Sequence, residues 1–154
     1  MTVSGNTFVD NQFSSPQAGA GLAVGMAHAS DVTIDDNTFT NYFYSPIHVE
    51  DRSRGVTISS NSFSGCFKSD HEYASCIFVV NDSHDVTVSH NDFDLRNGDP
   101  RTVALYAGPG GAVPAPSDIL FSDNNVVRSP QQAALRTFEV GNLEVRDNSE
   151  QVRG

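Results

Sequence analysis

The chain has 154 residues, which is enough for one domain. Charged residues make up only 18% of it, its net charge is −10, and Lys68 is its single lysine. An acidic chain without clustered lysines and arginines excludes the usual electrostatic binding of nucleic acid and of anionic membranes, so we expect neither partner.

A short motif recurs along the whole chain. In the copy at residues 32–39, Val32 and Ile34 stand two residues apart, an asparagine follows three residues later, and Phe39 comes two residues after that. The shared asparagines recur 24 to 33 residues apart, at Asn6, Asn37, Asn61, Asn91, Asn124 and Asn148. The first four copies end in Phe8, Phe39, Phe63 and Phe93, and the fifth has Val126 instead. The chain therefore consists of six copies of one unit with variable insertions.

Each copy predicts two short strands joined by a corner. Apolar residues two apart are typical of a strand, and we expect the asparagine to take the left-handed backbone conformation of the corner. A further strand precedes most copies, at residues 22–25, 47–51, 77–81, 103–106 and 134–137. We call the sheet formed by these preceding strands the first sheet. The sequence thus predicts three short strands per coil.

This pattern resembles the parallel β-helix repeats of the pectate-lyase-like superfamily, which are also described as carbohydrate-binding and sugar-hydrolysis repeats. The resemblance implies an all-β fold, a single-stranded right-handed parallel β-helix (solenoid) of about five coils, with residues 1–154 as one domain. It also implies an interior ladder of the corner asparagines, whose amides satisfy one another across coils, and a parallel stack of the phenylalanines that Val126 interrupts.

The sequence contains no capping helix before the first copy or after the last. Solenoids usually carry such caps, because a bare end coil exposes unpaired edges and apolar core. We therefore expect a fragment of a longer protein, a chain that self-associates through its uncapped coil ends, or end coils that pair poorly.

Alternation along the first sheet predicts a row of functional side chains on its outer surface. If Ile47 and Val49 face inward, then His48 and Glu50 face outward. The corresponding outward residues on later coils are Phe78 and Val80, then Ala104 and Tyr106, then Arg136 and Phe138. Imidazole, carboxylate, phenol and guanidinium groups suit proton abstraction beside a sugar carboxylate or acid–base work on a glycoside. The alternative is a solvated sheet face on which a histidine and a glutamate are neighbours by chance.

The segment at residues 66–76 is expected to overhang this row between the second and fourth coils. It carries Lys68, Asp70, His71, Glu72 and Tyr73, and the chain's two cysteines, Cys66 and Cys76, bracket it. As a disulfide they would stabilise the fold by about 2.5–3 kcal/mol and indicate an exported protein, secreted or at the cell surface. As thiols they would be buried, and the sequence leaves both alternatives open.

The resemblance to pectate lyases also implies carboxylates for calcium and an arginine along the first sheet. Glu50, Asp51, Asp70 and Asp99 could supply oxygen ligands, although no intact calcium motif is present. Calcium is therefore the one cofactor that the sequence leaves open. Residues 99–101 read Asp-Pro-Arg where mannuronan epimerases have Asp-Pro-His, so Arg101 departs from that family's catalytic motif.

The leading hypothesis is recognition of an acidic polysaccharide along the first sheet, with lyase, C5-epimerase or glycoside hydrolase chemistry as its catalytic form. The base would be His48 or His71 and the proton donor Tyr106 or Tyr73, with Glu50 and Asp70 tuning the histidines. The substrate-binding side chains would be Lys68, Tyr73, Phe78, Arg101 and Arg136. The competing hypothesis is a non-catalytic structural or adhesive module of a surface or phage tail protein, and the sequence leaves open whether the chain is an enzyme at all.

Overall fold

The computed structural model of the chain describes residues 1–10, 22–68, 72–111 and 113–154. Within these ranges the chain forms strands and no helix. The strands are β1 (Thr2–Ser4), β2 (Thr7–Val9), β3 (Val24–Ala27), β4 (Ser30–Asp35), β5 (Thr38–Thr40), β6 (Ile47–Glu50), β7 (Arg54–Ser59), β8 (Ser62–Ser64), β9 (Ser75–Val80), β10 (His84–Ser89), β11 (Asp92–Asp94), β12 (Val103–Gly108), β13 (Ser117–Ser122), β14 (Asn125–Arg128), β15 (Leu135–Thr137), β16 (Gly141–Arg146) and β17 (Ser149–Val152). The described ranges accordingly contain no helix that could cross a membrane.

Three parallel sheets wind around one core. The first sheet has the order β3-β6-β9-β12-β15, the second β1-β4-β7-β10-β13-β16, and the third β2-β5-β8-β11-β14-β17. Every third strand pairs with its equivalent on the next coil, and Val56 lies between Val32 and Val86, so the sequence copies superpose in register. The predicted right-handed parallel β-helix is confirmed.

The asparagine ladder forms as predicted. Asn61 Nδ2 donates to Asn91 Oδ1 at 3.0 Å and to the backbone oxygen of Ile34 at 2.9 Å, and the Asn61 backbone N–H donates to the same Asn91 oxygen at 2.9 Å. Equivalent side-chain bonds join all six corners at 3.0–3.1 Å. A buried amide is thus satisfied on both sides, which removes the cost of burying it.

The prediction that the asparagine itself adopts the left-handed conformation is wrong. The residue with positive φ is the one before it at every corner: Gly5, Asp36, Ser60, His90, Asp123 and Asp147, with φ between 55° and 67°. The reversal of the chain is made at this preceding residue, which leaves the asparagine side chain directed inward to its ladder partners.

The interior is filled by stacked apolar side chains. The rings of Phe39, Phe63 and Phe93 lie parallel with centroids 4.8–4.9 Å apart, and Phe8 adds to the stack at 5.1 Å. Val126 pairs with Phe93 and ends the row on the third sheet, as expected. The sequence interpretation missed one further member, because the second sheet supplies Phe121 at 6.1 Å from Phe93.

Candidate functional site

The outer surface of the first sheet carries the predicted residues in one row. Parallel pairing sets His48 opposite Phe78, Phe78 opposite Tyr106, and Tyr106 opposite Arg136. We call these four residues the central row. Their predicted alignment is confirmed, including the position of Arg136 on the last strand of the sheet.

Two members of the central row are buried, so the alternative of a solvated sheet face does not apply to them. His48 is only 8% exposed and Tyr106 only 3%, and Val80 beside them is also buried. Tyr73 covers Tyr106 and Phe78, with its ring centroid 5.1 Å from Tyr106 and 5.8 Å from Phe78, and the Phe78 ring lies 5.0 Å from the His48 ring. Aromatic side chains on an outer sheet face lose water-exposed apolar surface when another side chain packs on them, which favours the position of Tyr73 over Phe78 and Tyr106.

His48 is held by the carboxylate of Glu50. The distance from His48 Nδ1 to Glu50 Oε1 is 2.7 Å. Since a carboxylate only accepts, Nδ1 carries the proton and Nε2 of the neutral ring has a free lone pair. His48 Nε2 is buried and has no hydrogen-bond partner among the described residues. This arrangement gives the ring the tautomer that a general base needs.

The proposed base and the proposed proton donor do not meet. The Phe78 ring lies between them, 5.0 Å from the His48 ring and 5.3 Å from the Tyr106 ring. Two strand spacings separate His48 from Tyr106, or about 10 Å. The structure therefore does not bring these two groups within hydrogen-bond reach, and their catalytic roles stay predictions.

A cavity of about 430 Å³ opens at the Arg136 end of the central row. We call it the arginine pocket, and its lining residues are Glu72, Tyr73, Arg101, Tyr106, Pro109, Arg136 and Phe138. Its size lies within the range of about 300–1,000 Å³ that is usual for ligand pockets. The pocket thus unites two predicted cations with the aromatic side chains of the row.

Arg136 ties two segments together at this pocket. Its Nη1 donates to the backbone oxygen of Glu72 at 2.6 Å, and its Nη2 donates to the backbone oxygen of Arg101 at 2.8 Å. Arg101 lies beside Asp99, with 3.5 Å from its Nε to Asp99 Oδ1. A guanidinium has five N–H donors, so Arg136 keeps donors beyond the two that fix the loop.

Both phenols of the pocket stay neutral over a wide pH range. Burial raises the pKa of Tyr106, and the neighbouring Tyr73 and Glu72 raise it further. Burial likewise raises the pKa of Tyr73, with the Glu72 carboxylate as the next cause. A neutral phenol both donates and accepts hydrogen bonds, as binding of sugar hydroxyls requires.

The remaining predicted site residues lie elsewhere or outside the described ranges. Lys68 Nζ donates to Asn41 Oδ1 at 3.0 Å and does not line the arginine pocket. Asp70 and His71 lie outside the described residues.

The two cysteines form a disulfide, which answers the question that the sequence left open. Both are fully buried and their Cα atoms are 5.2 Å apart. The bond holds together the two ends of the segment that carries Tyr73.

The carboxylates suggested for calcium have separate partners. Glu50 binds His48, Asp51 Oδ1 accepts from Asn81 Nδ2 at 2.9 Å, and Asp99 Oδ1 accepts from the Arg101 backbone N–H at 2.8 Å. Within the described ranges no three histidine, cysteine, aspartate or glutamate side chains converge as metal ligands. Calcium binding stays a prediction.

Sequence reasoning missed one wall of the pocket. The loop after β12 supplies this wall, because its Pro109 lines the arginine pocket. Gly110 N–H donates to Asn81 Oδ1 at 3.1 Å, and Pro114 accepts from the Asp82 N–H at 2.8 Å, so the loop is fastened to the preceding coil. Its glycines and prolines predict a loop but carry no signal for where that loop lies.

Comparison with known proteins supports the architecture. A family model described as right handed beta helix region matches residues 1–108, which is more than two thirds of the chain. No curated protein and no solved structure matches the chain.

Proposed function

We propose, on the premise that the chain belongs to the right-handed β-helix family, that its first sheet recognises an acidic polysaccharide at the arginine pocket. One observation carries the proposal: Arg101 and Arg136 converge with Tyr73, Tyr106 and Phe138 on one cavity of a chain whose net charge is −10. Because a polyanion is repelled by most of such a surface, a pocket whose two arginines outnumber its one carboxylate, Glu72, marks where a polyanion is accepted.

The side chains of the pocket suit a sugar acid. A guanidinium pairs with a carboxylate through two parallel hydrogen bonds, which Arg136 can form with the donors that the loop leaves unused. The aromatic face of Phe138, which is 50% exposed, offers apolar surface to a sugar ring. The phenols can bind ring hydroxyls. The guanidinium, the Phe138 ring and the phenols thus each have a partner on a uronic-acid residue.

The test is binding to a panel of uronic-acid and neutral polysaccharides, with and without calcium, followed by calorimetry with fragments of those that bind. We expect the uronic-acid polymers to bind and Arg136→Ala to weaken them roughly 10- to 100-fold, since a hydrogen bond to a charged group contributes about 1.5–3 kcal/mol. Arg146→Ala is the matched control, because Arg146 pairs with Glu144 and Asp147 on the second sheet. Equal binding by both variants, or preference for neutral polymers, would contradict the proposal.

The same panel decides whether recognition extends to catalysis. Reducing ends and the absorbance of unsaturated products would be recorded for the wild type, His48→Ala and His71→Ala. If the wild type cleaves a polymer and either variant loses that activity, the protein is a lyase or a hydrolase. An epimerase would change the sugar composition of the polymer without cleaving it. Binding without turnover leaves a recognition module.

A second function is favoured by the packing of the central row. Val80, Val103, Tyr106, Tyr73 and Phe78 form an apolar cluster of their own, separate from the interior core. Such packing suits a non-catalytic structural or adhesive module in which the row only stabilises the fold. If Tyr73→Ala destabilises the protein and no polysaccharide binds the wild type, this second function is the better account.

The disulfide indicates the cellular compartment in which the protein works. Such bonds persist in oxidising environments and are rare in the cytosol. We propose that the protein is secreted or displayed at a cell surface, where extracellular polysaccharide is available to it.

A further inference from the structure

The central row is interrupted by one side chain. Tyr73 packs on both Phe78 and Tyr106 and so lies across the boundary between the third and fourth coils. On one side of it lies His48 with Glu50, and on the other side lies the arginine pocket. The outer surface of the first sheet is therefore a divided path.

The segment that carries Tyr73 is fastened at several points. The Cys66–Cys76 disulfide closes its base, and Arg136 holds the backbone oxygen of Glu72. Ser75 Oγ donates to the backbone oxygen of Tyr73 at 3.0 Å and lies 2.9 Å from Ser45 Oγ on the preceding coil. A side chain held in this way acts as a wall of the pocket.

The rest of the lining surrounds one strand of the first sheet, and Tyr73 bounds the pocket on the side toward His48. Arg101 precedes β12 and Pro109 follows it, so these residues flank the two ends of that strand. Tyr106 and Arg136, paired in register, form the floor. A polymer that runs along the axis of the solenoid advances from strand to strand, about 4.8 Å at a time, and would have to pass over Phe78 to continue.

We propose that the arginine pocket is a terminal subsite, which binds the last sugar residue of an acidic chain and excludes its interior residues. This inference rests on the proposed function and specifies how the substrate lies in the site. The terminal carboxylate pairs with the guanidinium of Arg136, and the chain leaves the pocket away from Tyr73.

The test is a length series of purified oligouronates of one linkage, titrated by calorimetry. Terminal binding predicts one protein per oligosaccharide at every length and an affinity per chain that does not rise with length. Two modified sets, one with the reducing end converted to the alditol and one with the non-reducing end capped, identify the end that enters. Loss of affinity is expected for one of the two sets.

Tyr73→Ala removes the wall. We expect long oligouronates then to bind more than one protein per chain, while short ones still bind one. Tyr44→Ala is the matched control, because Tyr44 packs on Phe43 and Phe67 and does not line the pocket. Circular dichroism and thermal unfolding would be used to check that both variants fold.

The outcomes separate the two proposals. If the wild type already binds several copies per long chain, the terminal subsite is overturned while polysaccharide recognition stands. Equal affinity for unmodified chains and for both end-modified sets overturns it in the same way. If no oligouronate of any length binds the folded wild type, both proposals fail together.

Discussion

Single residues determine whether a coil can stack, and the corner asparagine is the clearest case. Asn91 is 1% exposed and accepts both the side-chain and the backbone N–H of Asn61. Its own amide also donates to the backbone oxygen of Ile58 at 2.9 Å. One side chain therefore satisfies polar groups on the preceding coil that have no access to water.

We expect Asn91→Ala to lower the free energy of unfolding by about 3–5 kcal/mol, because more than one buried polar group loses its partner at about 1–3 kcal/mol each. Urea unfolding measures the change. The control is Asn125→Ala, since Asn125 pairs with Asp92 at the surface. An equal loss of unfolding free energy in the two variants would contradict a stabilising role of the ladder.

A substitution at the residue before an asparagine is expected to stabilise the protein. Ser60 has φ 55°, a conformation that costs a residue with a Cβ about 1–2 kcal/mol. We expect Ser60→Gly to stabilise the protein by about 0.5–1 kcal/mol after the greater entropy loss of glycine is subtracted. Ser59→Gly in β7, where φ is negative, should destabilise, and thermal unfolding of the pair compares them. Destabilisation by both would contradict the assignment of strain to Ser60.

At the scale of elements, the loops differ from the strands in what holds them. The strands are fixed by pairing with equivalent strands on neighbouring coils, whereas the segment with Tyr73 depends on a disulfide, on Arg136 and on the Ser75 hydroxyl. The wall of the arginine pocket is thus the part of the site most sensitive to redox conditions.

Removal of the disulfide should affect stability and binding together. We expect Cys66→Ala/Cys76→Ala to lose about 2.5–3 kcal/mol of unfolding free energy. We also expect it to bind oligouronates less tightly, because Tyr73 and Glu72 lose their anchor. Unfolding and calorimetry are measured on the same samples, and a reductant should leave the double variant unchanged. Unaltered binding would show that Arg136 and Ser75 position the wall without the disulfide.

The sequence predicts the strands of the site better than its loops. The register of the central row follows from the sequence, because a fixed repeat brings His48, Phe78 and Tyr106 to the same position on successive strands. Its burial does not follow, because the loop that places Tyr73 on the row has no repeat partner to set its path. Pro109 escaped prediction for the same reason, and the left-handed residue was misplaced by one position because asparagine itself often takes that conformation.

For the whole molecule, the excess of negative charge governs how a polyanion approaches. The net charge of −10 repels an acidic polymer at long range, while the arginine pocket attracts it only at short range. Salt screens the long-range repulsion more than the short-range attraction. The Debye length falls from about 30 Å at 0.01 M to about 8 Å at 0.15 M.

We therefore expect the association rate with polyuronate to rise with salt over that range, the reverse of what a basic binding protein shows. Stopped-flow or surface-binding kinetics would measure it, with Arg136→Ala showing the same slope at a lower affinity. A rate that falls with salt would mean that attraction outweighs repulsion even at long range.

The asparagine ladder also gives the interior a polarity. Each of the four inner side-chain amides accepts from the preceding rung and donates to the next, so the five bonds from Asn6 to Asn148 all run in one direction. The backbone dipoles of a strand alternate and cancel, but these add along the axis, and aligned amides polarise one another by roughly 10–30% per bond. The Asn148 end of the ladder is electropositive and the Asn6 end electronegative, and an apolar residue at any rung divides one long dipole into two shorter ones.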